Sequence, residues 1–258
     1  NHGMRVAQAK AMVELLALSG STEALQVVVA TATRFKQRTV RELAEALVER
    51  IAEERGWTAD ELADRSIPSG GLEVGGVLDL PMGEDEKPYQ ARLDSALVLH
   101  LHNPDGKVVK SLPAGTDENS KDSKALLTNA KKVLKEVVEK QSGRLYEAML
   151  TGRTWSLDAW QADLRGHPIV GRLTERAVWR GMDADGNTLV TFRPTAEGDL
   201  MDASGDDADL TGVERIDLAH ATALSPDDLA AWTEHLADFE VTPLFAQIGR
   251  PVLTLGPD

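Results

Sequence analysis

Val178-Trp179-Arg180-Gly181-Met182-Asp183-Ala184-Asp185-Gly186-Asn187-Thr188-Leu189-Val190-Thr191-Phe192 is two apolar runs around an Asp- and Gly-containing centre. Each run is short, holds β-branched or aromatic residues and abuts turn formers, which predicts an antiparallel hairpin. Gly186 is free to take the positive φ that a tight connection needs. The pattern recurs upstream. Ala96-Leu97-Val98-Leu99-His100-Leu101 and Lys107-Val108-Val109-Lys110 flank Asn103-Pro104-Asp105-Gly106, again with Gly in the turn. Two hairpins, set apart by helical sequence, favour segregated α+β over a doubly wound parallel sheet.

Outward from the first hairpin, short strands near Leu200 and over 213–218 extend the β block. Ser225-Pro226-Asp227-Asp228 reads as a helix start, with Ser as cap, Pro at the first position and Asp at the third. That helix is expected to turn Leu229, Trp232 and Leu236 inward. The tail, 239–257, is apolar with three prolines and reads as an extended strap. Upstream, 155–165 and 169–177 read as two short helices split by Gly166-His167-Pro168. Before them a long helix is expected from about 122 to 150. Its stripe is Leu127, Ala130, Leu134, Val137, Leu145 and Met149, and Gln141-Ser142-Gly143 marks a kink. Residues 72–112 read as a meander, with strands near 77–80 and 90–93 around a loop holding Gly83, Glu84, Asp85, Glu86 and Pro88.

Residues 4–66 read as helical throughout, as a bundle or as the last turns of a longer helical-repeat array. Met12, Val13, Leu15 and Leu16 precede a break at Ser19-Gly20-Ser21. Val40, Leu43, Leu47, Val48 and Ile51 form the clearest amphipathic stripe, and Gly56 ends it. Thr58 with Glu61 is a capping box. The pattern changes at 66–71, so two domains are expected, 4–66 and 67–258. Asn1-His2-Gly3-Met4 reads as a remnant outside the fold.

The chain has 258 residues, 28 Lys plus Arg, 42 Asp plus Glu and no Cys. A net charge of −14 argues against general nucleic-acid or anionic-membrane binding. The missing cysteines exclude disulfides, thiolate metal sites and a Cys nucleophile. The start lacks a basic stretch leading into a long apolar run, and no apolar run nears the roughly 18 residues of a membrane span. A cytoplasmic protein is expected, with no membrane association and no cofactor.

His100 and His102, two apart on one strand, could share an ion with Asp79 or Glu84. Histidines of a hairpin strand are the commoner meaning, and no metal is expected. Asp183-Ala184-Asp185-Gly186-Asn187 has its glycine too early for a calcium loop. Gly70-Gly71 and Gly75-Gly76 lack the Lys-Ser/Thr of a phosphate loop and read as flexible. The sequence shows no Gly-x-Ser-x-Gly elbow or His-Glu-x-x-His helix, and no catalytic residue is assigned. The long helix is basic, with seven Lys or Arg against four Asp or Glu over 121–151. Lys131, Lys132 and Lys135 are the candidate contacts for an acidic partner. Residues 181–219 are acidic and read as solvated hairpin loops. Trp155 and Trp160, close to Arg153, read as core before recognition site. Arg153, Arg193 and Arg250 could also pair with buried carboxylates.

Several stretches together resemble a bacterial family known as domain of unknown function 4132. They include Gly56-Trp57-Thr58-Ala59-Asp60-Glu61-Leu62, Asp105-Gly106-Lys107-Val108-Val109-Lys110-Ser111-Leu112-Pro113 and Met149-Leu150-Thr151-Gly152-Arg153-Thr154-Trp155-Ser156. Thr191-Phe192-Arg193-Pro194, Trp232-Thr233-Glu234-His235-Leu236 and Gln247-Ile248-Gly249-Arg250-Pro251-Val252 continue the match. The family occurs in MolR-like proteins, named after a molybdate-metabolism regulator. The resemblance implies regulation and longer relatives with upstream helical repeats, some with a WGR domain, of which this sequence shows no stretch. It brings no catalytic residues. The expected function is a non-enzymatic interaction or regulatory module with a protein partner. One alternative is an enzyme for a polar or anionic substrate, using Arg153, His167 and Arg193. Another is a nucleic-acid-associated module acting through the Lys-rich helix.

Overall fold

The computed structural model describes residues 2–83 and 87–248. The chain forms two compact units, Asn1–Pro68 and Ser69–Asp258.

The first unit is helical. His2–Ser19 (α1), Thr22–Arg34 (α2), Arg38–Arg55 (α3) and Ala59–Arg65 (α4) follow one another through short turns. α1 begins at His2, so His2, Gly3 and Met4, set aside in the sequence, are helical. Ser21 caps α2 by accepting from the Ala24 N–H. Gly56 closes α3 at φ 64°, and Thr58 and Glu61 form the reciprocal cap of α4. Val13, Val28, Ala32, Val40, Ala44 and Leu47 make the core, with Leu16, Leu43 and Val48 packed against it. The guanidinium groups of Arg55 and Arg65 lie over the Trp57 ring, at 4.7 and 4.5 Å from its centre. Met4, Met12, Leu15 and Leu18 remain 58–76% exposed. Ala11 is exposed with them. At 100° per residue these positions fall within about 120° of the α1 surface, opposite the Val13 face.

The second unit is α+β. Val77–Leu80 (β1), Tyr89–Leu93 (β2), Leu99–His102 (β3) and Val108–Val109 (β4) form an antiparallel meander in that order. Leu78, Leu80, Ala91, Leu93 and Leu101 are buried, as alternation requires. The segment before β1 is not slack. Gly70, Gly71, Gly75 and Gly76 all have positive φ. A Cβ on Gly70 would come within 3.1 Å of Val133, and one on Gly76 within 3.1 Å of Leu93.

Glu118–Thr151 (α5) is 34 residues long, capped by Asp117, and spans about 50 Å. No break occurs at Gln141. That side chain sits inside the buried stripe and accepts from Arg144 Nη1 at 3.0 Å, so its polarity is met within the helix. The stripe runs Ser120, Ser123, Ala130, Leu134, Val137, Gln141, Leu145 and Ala148. Ser123 Oγ donates to the Pro81 carbonyl at 2.6 Å, which fixes the start of α5 near the end of β1.

Trp155–Ser156 (β5) is a strand where the sequence predicts helix. Leu157–Ala159 (α6) then runs on into a π-helical turn over Trp160–Arg165. Ser156 both pairs in the sheet and caps this turn through the Ala159 N–H. After Val170–Thr174 (α7) come Trp179–Met182 (β6), Thr188–Pro194 (β7), Leu200–Met201 (β8) and Arg215–Leu218 (β9). The second sheet has the order β5-β9-β6-β7-β8, all antiparallel. The 178–192 hairpin is at its heart, with Trp179 opposite Phe192 and Asp183 closing the turn on Asn187.

Trp155, Trp160, Trp179 and Phe192 meet edge-to-face at 5.4–5.9 Å, which makes the tryptophans core. Pro226–Asp238 (α8) begins with the expected Ser225–Asp228 box and drives Trp232 into the unit. Of the apolar strap, residues to 248 are described. Gln247 clamps it down, its amide bonding the Val178 N–H and the carbonyls of Val178 and Ala219. No helix among the described residues is long and apolar enough to cross a membrane.

Candidate functional site

β3, β4 and the N-terminal half of α5 enclose a groove of about 370 Å³. Leu99, Leu101, Val109 and Leu127 give it an apolar wall. Lys110, Lys124 and Lys131 give it charge, with His100 beside them, and no carboxylate of the described residues lines it. β4 is the outer strand of its sheet, so its far side offers backbone groups that no strand of the described residues pairs. Val108 on it is 66% exposed.

The lysines of α5 divide by geometry. Positions 124, 128, 131 and 135 follow one helix row, so exposed Lys135 continues the line of the groove. Lys132 lies about 100° round the helix from Lys131. Its Nζ is 3.9 Å from Glu136. His100 Nε2 is 2.7 Å from Asp94 Oδ2. Burial pushes the Asp94 carboxyl up, but hydrogen bonds from the Val98 N–H and His100 outweigh it and hold it below the usual range. His102 Nδ1 faces the His100 carbonyl at 3.2 Å. Asp79 accepts from Gln90, and Glu84 lies outside the described residues. Among the described residues no three His, Asp or Glu side chains are grouped to hold a metal.

A second concavity, of about 420 Å³, lies where the end of β7 meets the turn after α7 and the end of α8. Arg193 lines it although only 6% of its surface is exposed. Its Nη1 donates to the carbonyls of Glu175 and Pro194, at 3.3 and 3.0 Å. Its Nε donates to His235 Nε2 at 3.4 Å, so that ring presents a neutral nitrogen to it. Burial, then the nearby Arg193 charge, lower the His235 pKa from its ordinary 6.5. Phe239 stacks on His235 at 4.5 Å. Glu175 Oε1 pairs with Arg172 at 2.7 Å, while its buried Oε2 has no hydrogen-bond partner.

The family described as Domain of unknown function (DUF4132) matches residues 106–258. The chain belongs to this family. DUF4132 thus covers the 178–192 hairpin, the long helix, the tryptophan core and both concavities in part. A relative, "Uncharacterized protein YehI" of Escherichia coli (strain K12), is 29% identical over 98% of this chain and 21% of its own length. The chain therefore spans about a fifth of that relative's length. No solved structure matches.

Of the residues singled out in the sequence, Lys131 lines the groove, Lys135 extends its row, and Lys132 stands apart. Arg193 and His167 border neighbouring concavities, which share Glu175, Thr195 and Ala196. His167 caps α7, its Nδ1 accepting from the Ile169 and Val170 N–H groups at 3.2 and 3.1 Å. Arg153 lies 4.6 Å from the Trp155 ring and lines neither concavity. Arg250 lies outside the described residues. Sequence reasoning missed Lys110, Lys124, His235, Glu175 and Gln247. Lys110 carried a signal, since a lysine ending an alternating edge strand marks an exposed face. His235 and Gln247 act on partners distant in sequence and carried none.

Proposed function

We propose that this DUF4132 chain is a non-enzymatic, regulatory docking module that takes an acidic, partly apolar segment of a partner protein in the groove between β4 and α5. The carrying observation is the groove itself: among the described residues, three lysines and no carboxylate along an apolar wall, beside an open strand edge. An extended peptide can add to such an edge by main-chain bonds while its side chains alternate toward the wall. Opposite charge then sets encounter and register. A MolR-like, cytoplasmic setting fits this reading. The helical unit supplies a further element. The outward apolar stripe of α1 supports the view of residues 4–66 as the end of a helical-repeat array, with another helix covering that stripe.

The test is fluorescence anisotropy with a labelled peptide alternating Val and Glu, against one alternating Val and Lys. The acidic peptide is expected to bind and the basic one to fail. Lys110→Glu with Lys131→Glu should weaken binding about tenfold or more. Lys132→Glu, off the row, should change it far less. Equal binding of both peptides, or indifference to the groove reversal, would remove the proposal. A DNA oligonucleotide that displaces the peptide with a steep salt dependence would give the surface to nucleic acid instead.

A further inference from the structure

The Arg193 concavity is separate from the groove and differs from it in charge. Arg193 and Arg176 line it, and so do Glu175, Glu197 and Glu240. Arg172 already pairs with Glu175. The site is therefore close to neutral. Arg193 is the unusual member. It is almost wholly buried, yet no carboxylate of the described residues lies within ion-pair distance, and its Nη2 bonds to none of them. A buried guanidinium is normally paired or hydrogen-bonded throughout. Burial lowers its pKa, with Glu175 and Glu197 acting in the opposite direction from farther off.

A second observation points to the same place. Leu97 and Glu240 are the non-glycine residues of positive φ among those described, at 64° and 50°. Glu240 lines the concavity, and Leu97 closes the turn that contributes Ser95 and Ala96 to it. Backbone strain of this kind persists where surrounding structure holds it, and it gathers at ligand sites. Met201, Phe239 and Val241 supply an apolar wall, and the volume is within the range of small-molecule sites.

We propose that this concavity binds a small zwitterion, an α-amino acid with an apolar side chain. The carboxylate takes the unused edge of Arg193, where a charge-assisted hydrogen bond is strongest. The ammonium faces the exposed carboxylates of Glu197 and Glu240. The side chain lies on Met201, Phe239 and Val241. A dianion such as phosphate would meet three carboxylates, and a simple cation would meet Arg193 at the floor. The zwitterion satisfies both ends.

Calorimetric titration of the full chain with L-leucine, L-methionine and L-phenylalanine tests this. At least one should bind. For that amino acid, the amide in place of the carboxylate should bind about tenfold or more weakly, as loss of a charge-assisted hydrogen bond implies. So should the analogue lacking the amine. Arg193→Gln should abolish binding but risks the fold, so the exposed pair Glu197→Gln and Glu240→Gln carries the decision. It should weaken the amino acid and spare the amine-free analogue. No binding by any of the three, equal affinity for the amide, or indifference to the Glu197/Glu240 pair would overturn the proposal.

Discussion

A histidine buried beside a guanidinium stabilises the fold only while it is neutral. His235 is 3% exposed, stacked on Phe239 and bonded to Arg193 through Nε2. Its folded pKa is below 6.5. The unfolded chain therefore takes up a proton near pH 6.5 while the folded chain does not, and stability falls as pH drops through that window. The thermal midpoint should decline below about pH 6.5, and His235→Gln, which keeps an acceptor for Arg193, should flatten that slope. An unchanged slope in the variant would mean another group titrates there. Gly181 makes a different demand. A Cβ on it would lie 2.8 Å from Val213 and 3.0 Å from Val190, inside the central strand of the second sheet. Gly181→Ala should cost about 1–3 kcal/mol by overpacking, read from chemical denaturation. At this scale the sequence exposes groups that act on their own backbone, such as Thr58 and Ser225. It hides His235 and Gln247, because their partners lie tens of residues away.

Elements were legible where local chemistry and periodicity agree. The capping box of α8 is the clearest case, since Ser225 Oγ accepts from the Asp228 N–H while Asp228 reaches back to the Ser225 N–H. Ser225→Ala should cost about 1 kcal/mol and loosen the helix that carries Trp232 and His235, seen as faster amide exchange in α8. Where local chemistry opposes the apolar pattern, the pattern misleads. Residues 96–101 read as one strand, but Asp94 accepts from the Val98 N–H and the Leu97 N–H returns to the Asp94 carbonyl, so a turn takes 94–98 and β3 starts at Leu99. α1 gave less. Met12, Val13, Leu15 and Leu16 mark an apolar helix without saying which face is buried, and it is Val13 and partly Leu16 that turn to the core. Met12→Glu with Leu15→Glu should leave helical-unit stability within about 0.5 kcal/mol, as for exposed sites. It should also reduce self-association at high concentration, because the stripe loses its apolar continuity.

At the scale of the whole molecule, the order of helical and hairpin blocks was enough to give α+β, because each block announces its own period. The strand order was not, since β5 comes from a stretch of helical spacing and pairs with β9, some sixty residues on. The family match sharpens the question of where a stable piece begins. It starts at 106, between β3 and β4, whereas the compact unit starts at Ser69. A chain cut at 106 loses Leu78, Leu80, Leu93 and Leu101 and leaves β4 without its partner. It also strips the cover from the Ala130–Val137 face of α5, where Gly70 and β1 pack. At about 1.5–3 kcal/mol per buried leucine, that loss rivals the net stability of about 5–15 kcal/mol that a whole domain has. Residues 69–258 should therefore melt as one cooperative unit, and 106–258 should keep helical circular dichroism without a cooperative transition. Cooperative folding of the shorter piece would show that the tryptophan core around Trp179 holds α5 alone and that the first sheet, with its basic groove, is a removable layer.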